Sequence, residues 1–462
     1  MVNSEVFPYL PNSSSRIKNR MLKEIGFSDI SELYQDIPEK ARLKDKLNIP
    51  SSTSEYEVEQ QVEKLLSKNR SISEIPSFLG AGCWSHYVPA AVDAIVGRSE
   101  FATSYTPYQA ETSQGILQTL FEYQSMICEL TEMDYANSSM YDWPTALGEA
   151  ARMAVRITGR DEFLIPHYMD LEKVEVLRTY SEPVGIKIIQ IEQNVHNGQI
   201  VIEALEKKIT EDTAAVYIEN PSYLGFYEKN VKEISDLTRK KGSLLIAGVD
   251  PISLGIIRPP GDYGADIVIG EGQPLGNHMN YGGPSLGIFA CSGSRPLRQM
   301  PGRIVGMTNT LDGKDEAYCL VHQTREQHIR RERATSNICT NEALCAVAAA
   351  TYLALLGPEG LRKLCETIIT KSHYAMKRLN EIKGVKTPLF DAQHFKEFTV
   401  NFDETGRSSK ELHDELLKKG IQGGKILTSF LELGDTALYC VTETNSRQDI
   451  DSLVNALNDV LR

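Results

Sequence analysis

The residue types best suited to chemistry stand together in one short segment ahead of a predicted helix. Tyr105, Tyr108 and Glu111 bring two phenol hydroxyls and a carboxylate close together in the chain. Loops that precede a rigid element often carry binding or catalytic groups. Tyrosines also bury their rings in packed turns, and composition alone favours that plainer interpretation. The segment is therefore a candidate site, but its residue types alone do not define which chemistry it performs.

Other chemical motifs are weak or missing. Gly270, Gly272, Gly283 and the neighbouring glycines do not form a G-x-G-x-x-G between a strand and a helix, and no P-loop occurs. The 8 cysteines include no C-x-x-C pair and the 9 histidines no H-E-x-x-H. We therefore predict no metal site, and we interpret the cysteines as free thiols in a reducing compartment.

Composition excludes several classes of function. Lys and Arg total 49 against 62 Asp and Glu, a formal net charge of −13. This balance argues against nucleic-acid binding, which depends on clustered positive charge. No stretch approaches the roughly 20 apolar residues that span a bilayer, and residues 1–16 lack the pattern of a secretory signal. We predict an acidic cytoplasmic protein without a membrane partner.

The elements that position the candidate site fall into three predicted regions. Residues 1–90 are predicted to form a helical arm, with polar helix starts at Asp29 and Ser54. Residues 91–335 contain short apolar runs separated by helical segments, which predicts a large α/β domain with a mainly parallel sheet covered on both faces. These runs are 163–165, 186–191, 214–218, 244–247, 267–269 and 286–290. Residues 336–462 are predicted to form a smaller α+β domain, whose first helix stops at Gly357.

A long motif, FATSYTPYQAETSQG, spans residues 101–115. It resembles the signature Y-T-P-Y-Q-P-E-x-S-Q-G of the N-terminal half of glycine decarboxylases, the P-protein of the glycine cleavage system. Further similar segments are 77–82, 137–142, 250–255, 261–266, 270–273, 281–284 and 334–340. The resemblance covers essentially the whole chain and fits the family's subunit 1, which is encoded separately from subunit 2 in many bacteria and archaea.

The resemblance implies the architecture of fold type I pyridoxal-phosphate enzymes, yet the cofactor lysine is missing. In the catalytic half of the family, that lysine precedes a glycine-rich stretch ending in Gly-Pro. The corresponding position here is Gln273, and no lysine occurs between Lys241 and Lys314. Only a primary amine can hold the cofactor as a Schiff base, and an amide nitrogen is not nucleophilic. We therefore expect no cofactor bound by this chain alone.

The turn that would hold the cofactor phosphate also departs from the family. Backbone N–H groups at a helix start usually bind such a phosphate. Here Trp143 stands where the family often has glycine, and Pro144 lacks an N–H. Other departures are Ala110 for the usual proline, Arg333 for a common lysine, and the segment 83–85, Cys-Trp-Ser, where the family often has a small residue followed by Tyr-Asp. These departures leave the resemblance to the family unchanged.

The resemblance implies a subunit that is active only in a complex. Its partner would be the lysine-bearing subunit 2, with two copies of each, and pyridoxal phosphate would be held covalently by that partner. The assembled enzyme would decarboxylate glycine and pass the aminomethyl group to the lipoyl group of the H-protein.

Several residues of this chain are expected to complete the partner's pocket. Tyr105 and Tyr108 would hydrogen-bond the cofactor phosphate or the substrate, and Glu111 would position them or assist proton transfer. His86 is either a ligand contact or a structural histidine. The residues expected to line the entrance for the lipoyl arm are Asn280, Arg333 and Asn337. Two alternatives remain open: a scaffolding or regulatory paralogue with no active-site residue, and a self-sufficient pyridoxal-phosphate enzyme that uses a distant lysine.

Overall fold

The computed structural model describes residues 9–10, 12–43, 47–281, 283–427 and 431–462. Gly282, which belongs to one of the similar segments, and residues 1–8 lie outside this part of the chain. Two compact units are present, Met1–Arg70 and Ser71–Arg462. The predicted domain bounds at residues 90 and 335 stay predictions.

The first unit is helical, as its sequence pattern predicts. Helix α1 spans Ser15–Glu24 and helix α2 spans Glu55–Leu66. Ser54 and Glu57 form a capping box at the start of α2, which satisfies backbone N–H groups that the helix leaves unpaired. The predicted start at Asp29 is also a capping box, but it opens the short 3-10 helix Ile30–Tyr34. Helix α2 has no buried residue.

The second unit contains the remaining α-helices and all the strands of the described chain. The helices are α3 (Ala90–Val96), α4 (Ser99–Ala102), α5 (Gln114–Thr131), α6 (Trp143–Thr158), α7 (Leu171–Ser181), α8 (Ile202–Lys208), α9 (Val231–Lys240), α10 (Pro260–Tyr263), α11 (Ser294–Leu297), α12 (Gln327–Arg330), α13 (Ala343–Leu379), α14 (Ser409–Lys418) and α15 (Arg447–Leu461). The strands are β1 (Tyr135–Ala136), β2 (Glu162–Pro166), β3 (Lys187–Ile191), β4 (Thr213–Glu219), β5 (Leu244–Val249), β6 (Ile267–Glu271), β7 (Gly287–Cys291), β8 (Ile304–Asn309), β9 (Glu316–Val321), β10 (Glu397–Asn401), β11 (Lys425–Ile426) and β12 (Thr436–Cys440).

The central sheet has seven strands in the order β1-β7-β6-β5-β4-β2-β3. Strands β2 to β6 are parallel, and β7 and β1 join antiparallel at one edge. The six predicted apolar runs are the strands β2 to β7, so this prediction is confirmed. Every residue of β4 and β6 is buried, as expected for a parallel sheet covered on both faces. The carboxyl ends of parallel strands form the usual ligand edge of such a sheet.

The last part of the chain forms a small antiparallel sheet, β10-β12-β11, against helices α14 and α15. Helix α13 is broken at Gly357, whose φ is 57° and ψ is −179°, where the sequence predicts a stop. By length and composition alone α13 could cross a membrane. The break and the buried residues Ala346 to Ala350 are instead typical of a core helix. The hairpin β8–β9 is not predicted from the sequence.

Candidate functional site

The ligand edge of the sheet carries three buried carboxylates at the ends of neighbouring strands. Glu219 ends β4, Asp250 follows β5 and Glu271 ends β6. Two of them form ion pairs inside the protein: Lys173 Nζ lies 2.8 Å from Glu219 Oε1, and Lys396 Nζ lies 2.7 Å from Asp250 Oδ2. We call these five residues the strand-end cluster.

Two tryptophan rings cover the lysines of the strand-end cluster. Lys173 Nζ lies 3.4 Å from the ring centre of Trp143, and Lys396 Nζ lies 3.7 Å from that of Trp84. An ammonium over an indole face is attracted by the ring's negative potential. Trp143 Nε1 donates to Tyr217 Oη at 2.9 Å, and Tyr217 in turn donates to Glu219 at 3.0 Å. Lys173, Glu219, Tyr217 and Trp143 therefore form one connected, buried network, and Lys396, Asp250 and Trp84 line the same cavity beside it.

The remaining space at this edge is very small. The cavity lined by Trp84, Trp143 and residues of the strand-end cluster has a volume of about 20 Å³. A space of this size holds about one water molecule. The chain's own side chains thus fill the position where the fold would place a ligand.

Gln273 is a buried structural residue in this network. Its Oε1 accepts from the backbone N–H of Trp84 at 3.1 Å, and its Nε2 donates to the carbonyl of Asn277 at 2.7 Å. Glu271 accepts from the backbone N–H groups of Gln273 and Leu286, and burial raises the pKa of Glu271 to about 7. Both ends of the Gln273 amide are therefore satisfied by the protein itself.

The start of helix α6 does not offer a phosphate site. Asp142 accepts from the backbone N–H of Thr145 at 2.8 Å, and Glu271 accepts from that of Trp143 at 3.3 Å. Pro144 has no N–H to donate. Carboxylates of the chain already take the donors that an anion would need. Together with the small cavity, this means that the residues present do not fit pyridoxal phosphate.

His86 lies inside the protein between two charged groups. Lys396 Nζ lies 3.1 Å from its Nε2 and Glu443 Oε2 lies 2.8 Å from its Nδ1. Because an ammonium only donates, Nε2 accepts and Nδ1–H donates to Glu443, which defines a neutral ring. Burial and Lys396 lower the pKa of His86. These contacts favour the structural interpretation of this histidine.

The Tyr105–Glu111 segment stands at the surface and only part of it has defined partners. Tyr108 Oη accepts from Arg303 Nη2 at 2.7 Å, and its ring packs edge-on against His328 with 6.0 Å between ring centres. Tyr105 and Glu111 are exposed. Tyr108 borders an open pocket of about 470 Å³.

The other predicted contact residues are also exposed. Asn280 forms a backbone bridge with Gly283, and Arg333 lies 3.8 Å from Glu332 in an exposed ion pair. Asn337 follows Ser336, which donates to the buried Glu149 at 2.7 Å. Within the described ranges, no hydrogen bond, ion pair or ring contact joins Asn280, Arg333 or Asn337 to the Tyr105–Glu111 segment.

Sequence reasoning does not single out Lys173, Lys396 or Arg303. Each meets its partner only after folding, because Glu219, Asp250 and Tyr108 lie far away in the chain. Trp143 did give a signal, as a large ring at a position where the family often has glycine.

Comparisons with known proteins identify the family that the chain resembles. The family model of the glycine cleavage system P-protein matches residues 8–457. Two relatives named probable glycine dehydrogenase (decarboxylating) subunit 1 are 48% identical, in Staphylothermus marinus, and 49% identical, in Pyrococcus horikoshii. The first match covers 98% of both chains, and the second covers 98% of this chain and 99% of the relative.

Solved structures give the same fold. A crystal structure of glycine decarboxylase (P-protein) in inhibitor-bound form matches with a TM-score of 0.89 at 36% identity, over 99% of this chain and 100% of the other. An alanine–glyoxylate aminotransferase from Nostoc matches with a TM-score of 0.57 at 19% identity, over 85% of this chain and 98% of the other, which shows the fold alone. The predicted fold type I architecture is confirmed, and the chain belongs to the glycine cleavage system P-protein family.

Proposed function

We propose that this chain is the non-lysine-bearing subunit of glycine decarboxylase. With a lysine-bearing subunit 2 it releases CO₂ from glycine and transfers the aminomethyl group to the lipoyl group of the H-protein. The observation that carries the proposal is the closed ligand edge, where Lys173, Lys396 and two tryptophans occupy the fold's ligand position. The full-length similarity to proteins named subunit 1 supports it.

The partner subunit supplies what this chain lacks. Pyridoxal phosphate, held covalently by the partner, provides the electron sink for loss of CO₂. This chain contributes the exposed Tyr105–Glu111 segment, from which Tyr105 and Tyr108 hydrogen-bond the substrate or the cofactor phosphate and Glu111 positions them or assists proton transfer. Asn280, Arg333 and Asn337, all exposed, line the entrance for the lipoyl arm.

Assembly follows the family's habit of two copies of each subunit, in the cytoplasm. The unburied helix α2 supports an arm that binds another chain, since its apolar residues Val58, Val62 and Leu65 are exposed. Apolar surface of this kind is typical of interaction sites.

A self-sufficient enzyme would need a free lysine at the ligand edge. Lys173 and Lys396 are the lysines that line the described cavity, and each is paired with a carboxylate and covered by an indole ring. This pairing argues against the alternative. A purely scaffolding role leaves the retained Tyr105–Glu111 signature without a purpose.

The test is reconstitution. The chain is expressed with and without a lysine-bearing subunit 2, and glycine-dependent CO₂ release is measured with lipoylated H-protein as acceptor. We expect turnover only in the mixture, with losses in Tyr108→Phe and Glu111→Gln. Turnover by the isolated chain would overturn the proposal, and full activity of both assembled variants would favour a scaffold.

A further inference from the structure

Arg303 is a buried cation without a carboxylate partner. Arg303 is only 5% exposed. Within the described ranges, no Asp or Glu forms an ion pair with it. Nε has no hydrogen-bond partner. Buried charges are normally paired, and an unpaired one costs free energy unless something else compensates it. Arg303 therefore requires an explanation beyond packing.

The contacts that Arg303 does make point to the Tyr105–Glu111 segment. Nη2 donates to Tyr108 Oη at 2.7 Å, and Nη1 donates to Thr106 Oγ1 at 3.5 Å. The guanidinium carbon lies 5.0 Å from the ring centre of Tyr108. One buried arginine thus binds two side chains of this segment, Thr106 and Tyr108.

The direction of the Arg303–Tyr108 hydrogen bond fixes the role of the tyrosine. A guanidinium has no acceptor atom, so Tyr108 Oη must accept from it. The phenol hydrogen is then left to donate to a different group. Because Tyr108 is 48% exposed, the donor is available to a group outside this chain, and the buried positive charge strengthens it.

The pocket beside Tyr108 is lined by both basic and acidic side chains. Its lining includes His328 and Arg331, together with the carboxylates Glu326 and Glu332. Glu326 lies 3.5 Å from His328, and Glu332 lies 3.8 Å from Arg333. Glu332 is therefore paired with a cation, whereas Arg331 has no ion pair with any described residue. The two carboxylates leave the pocket lining without net positive charge, and Arg331 is the cation of this lining that is open to an anionic group.

We propose that Arg303 is a positioning residue that holds Tyr108 as a hydrogen-bond donor to an anionic oxygen group in the partner's active site. This inference rests on the proposed function. The anion is either the carboxylate of the amino-acid substrate or the phosphate of the partner's cofactor, which share the chemistry of a charged oxygen acceptor. The unpaired charge of Arg303 is compensated when that anion binds.

The experiment uses the assembled two-subunit enzyme and the variants Arg303→Met, Arg303→Lys and Tyr108→Phe. KM for glycine and kcat are measured at saturating cofactor, and the affinity for pyridoxal phosphate is titrated separately. If the anion is the substrate carboxylate, Arg303→Met and Tyr108→Phe raise KM for glycine by about tenfold to a hundredfold with unchanged cofactor affinity. If it is the phosphate, cofactor affinity falls by a similar factor and KM at saturating cofactor is unchanged.

Three further measurements distinguish the proposed positioning role of Arg303 from a merely structural role. The double variant Arg303→Met/Tyr108→Phe is expected to lose no more than the worse single variant, because both changes remove one interaction. Arg303→Lys, which keeps a charge and a donor, is expected to recover part of the loss. Arg160→Met is the control. The Arg160 guanidinium binds the carbonyls of Thr213 and Lys241 at 3.1 Å, close to where strands β4 and β5 begin. The KM and the cofactor affinity of this variant should stay unchanged.

The outcomes are distinguishable from a failure of the proposed function. An inactive wild-type assembly overturns the proposed function and this inference with it. An active wild type, with assembled Arg303→Met and Tyr108→Phe enzymes that match it in both parameters, overturns the inference alone. Additive losses in the double variant also overturn it, since they would show that the two residues act separately.

Discussion

Lys173 and Glu219 are both almost completely buried, and their charged atoms lie 2.8 Å apart. Removing one member of such a pair leaves an uncompensated charge in the interior. We therefore expect Lys173→Met to lower the free energy of unfolding of the purified chain by about 3–5 kcal/mol. Chemical denaturation of the variant and the wild type measures this difference.

An exposed pair of nearly the same length provides the matched control. Lys232 Nζ lies 2.7 Å from Asp236 Oδ1, with both side chains more than half exposed, so Lys232→Met should change stability by only about 0–1 kcal/mol. Adding Glu219→Gln to Lys173→Met should restore part of the loss, because it removes the orphaned charge. Equal losses from the buried and exposed pairs would contradict burial as the cause.

Single residues also show where sequence reasoning ends. The absence of a lysine between Lys241 and Lys314 can be read from the chain, and the family resemblance places the cofactor-lysine position at Gln273. The sequence does not predict that Lys173 and Lys396 occupy the ligand position, since each lysine meets its carboxylate only in the folded chain. A lone lysine carries no local spacing that distinguishes it from a surface lysine, and the same holds for Arg303.

Among the elements, the strands of the central sheet are the best predicted. Strands β2 to β7 are continuous apolar runs because the sheet is covered on both faces. The hairpin β8–β9 lacks such a signal: β8 begins buried at Ile304 and ends exposed at Asn309, so neither a continuous nor an alternating pattern is present. This hairpin matters to the candidate site, because Arg303 immediately precedes it.

The break in helix α13 makes a prediction about backbone conformation. Gly357 has φ 57° and ψ −179°, a region that L-residues with a side chain avoid, while a Cβ added there would meet no atom within 4 Å. Gly357→Ala should therefore cost about 1–3 kcal/mol through backbone strain alone. The free energy of unfolding from denaturant curves tests this expectation.

Gly115 serves as the comparison for Gly357. It lies in the first turn of α5, and a Cβ there also meets nothing within 4 Å. Because its φ is not positive, Gly115→Ala should stabilise the chain by up to about 1 kcal/mol through helix propensity. If both substitutions changed stability in the same direction, the positive φ at Gly357 would not be the reason for the glycine.

For the whole molecule, the closed ligand edge predicts how the chain responds to the cofactor. A ligand that binds only the folded state stabilises it, by about 2.7 kcal/mol at a concentration 100 times its Kd. A cavity of about 20 Å³ leaves no room for pyridoxal phosphate. We therefore expect the cofactor to leave the melting temperature of the isolated chain unchanged and to raise that of the complex with a lysine-bearing partner.

The dependence of the melting temperature on cofactor concentration distinguishes a specific site from nonspecific reaction with lysines. Surface lysines react weakly with any aldehyde, but such reactions do not saturate at one equivalent and gain no contacts that unfolding would break. A formed site gives a shift that follows a single dissociation constant. A saturating rise in the melting temperature of the isolated chain would therefore mean that Trp84, Trp143 and the two lysines move aside, and that the chain binds its own cofactor.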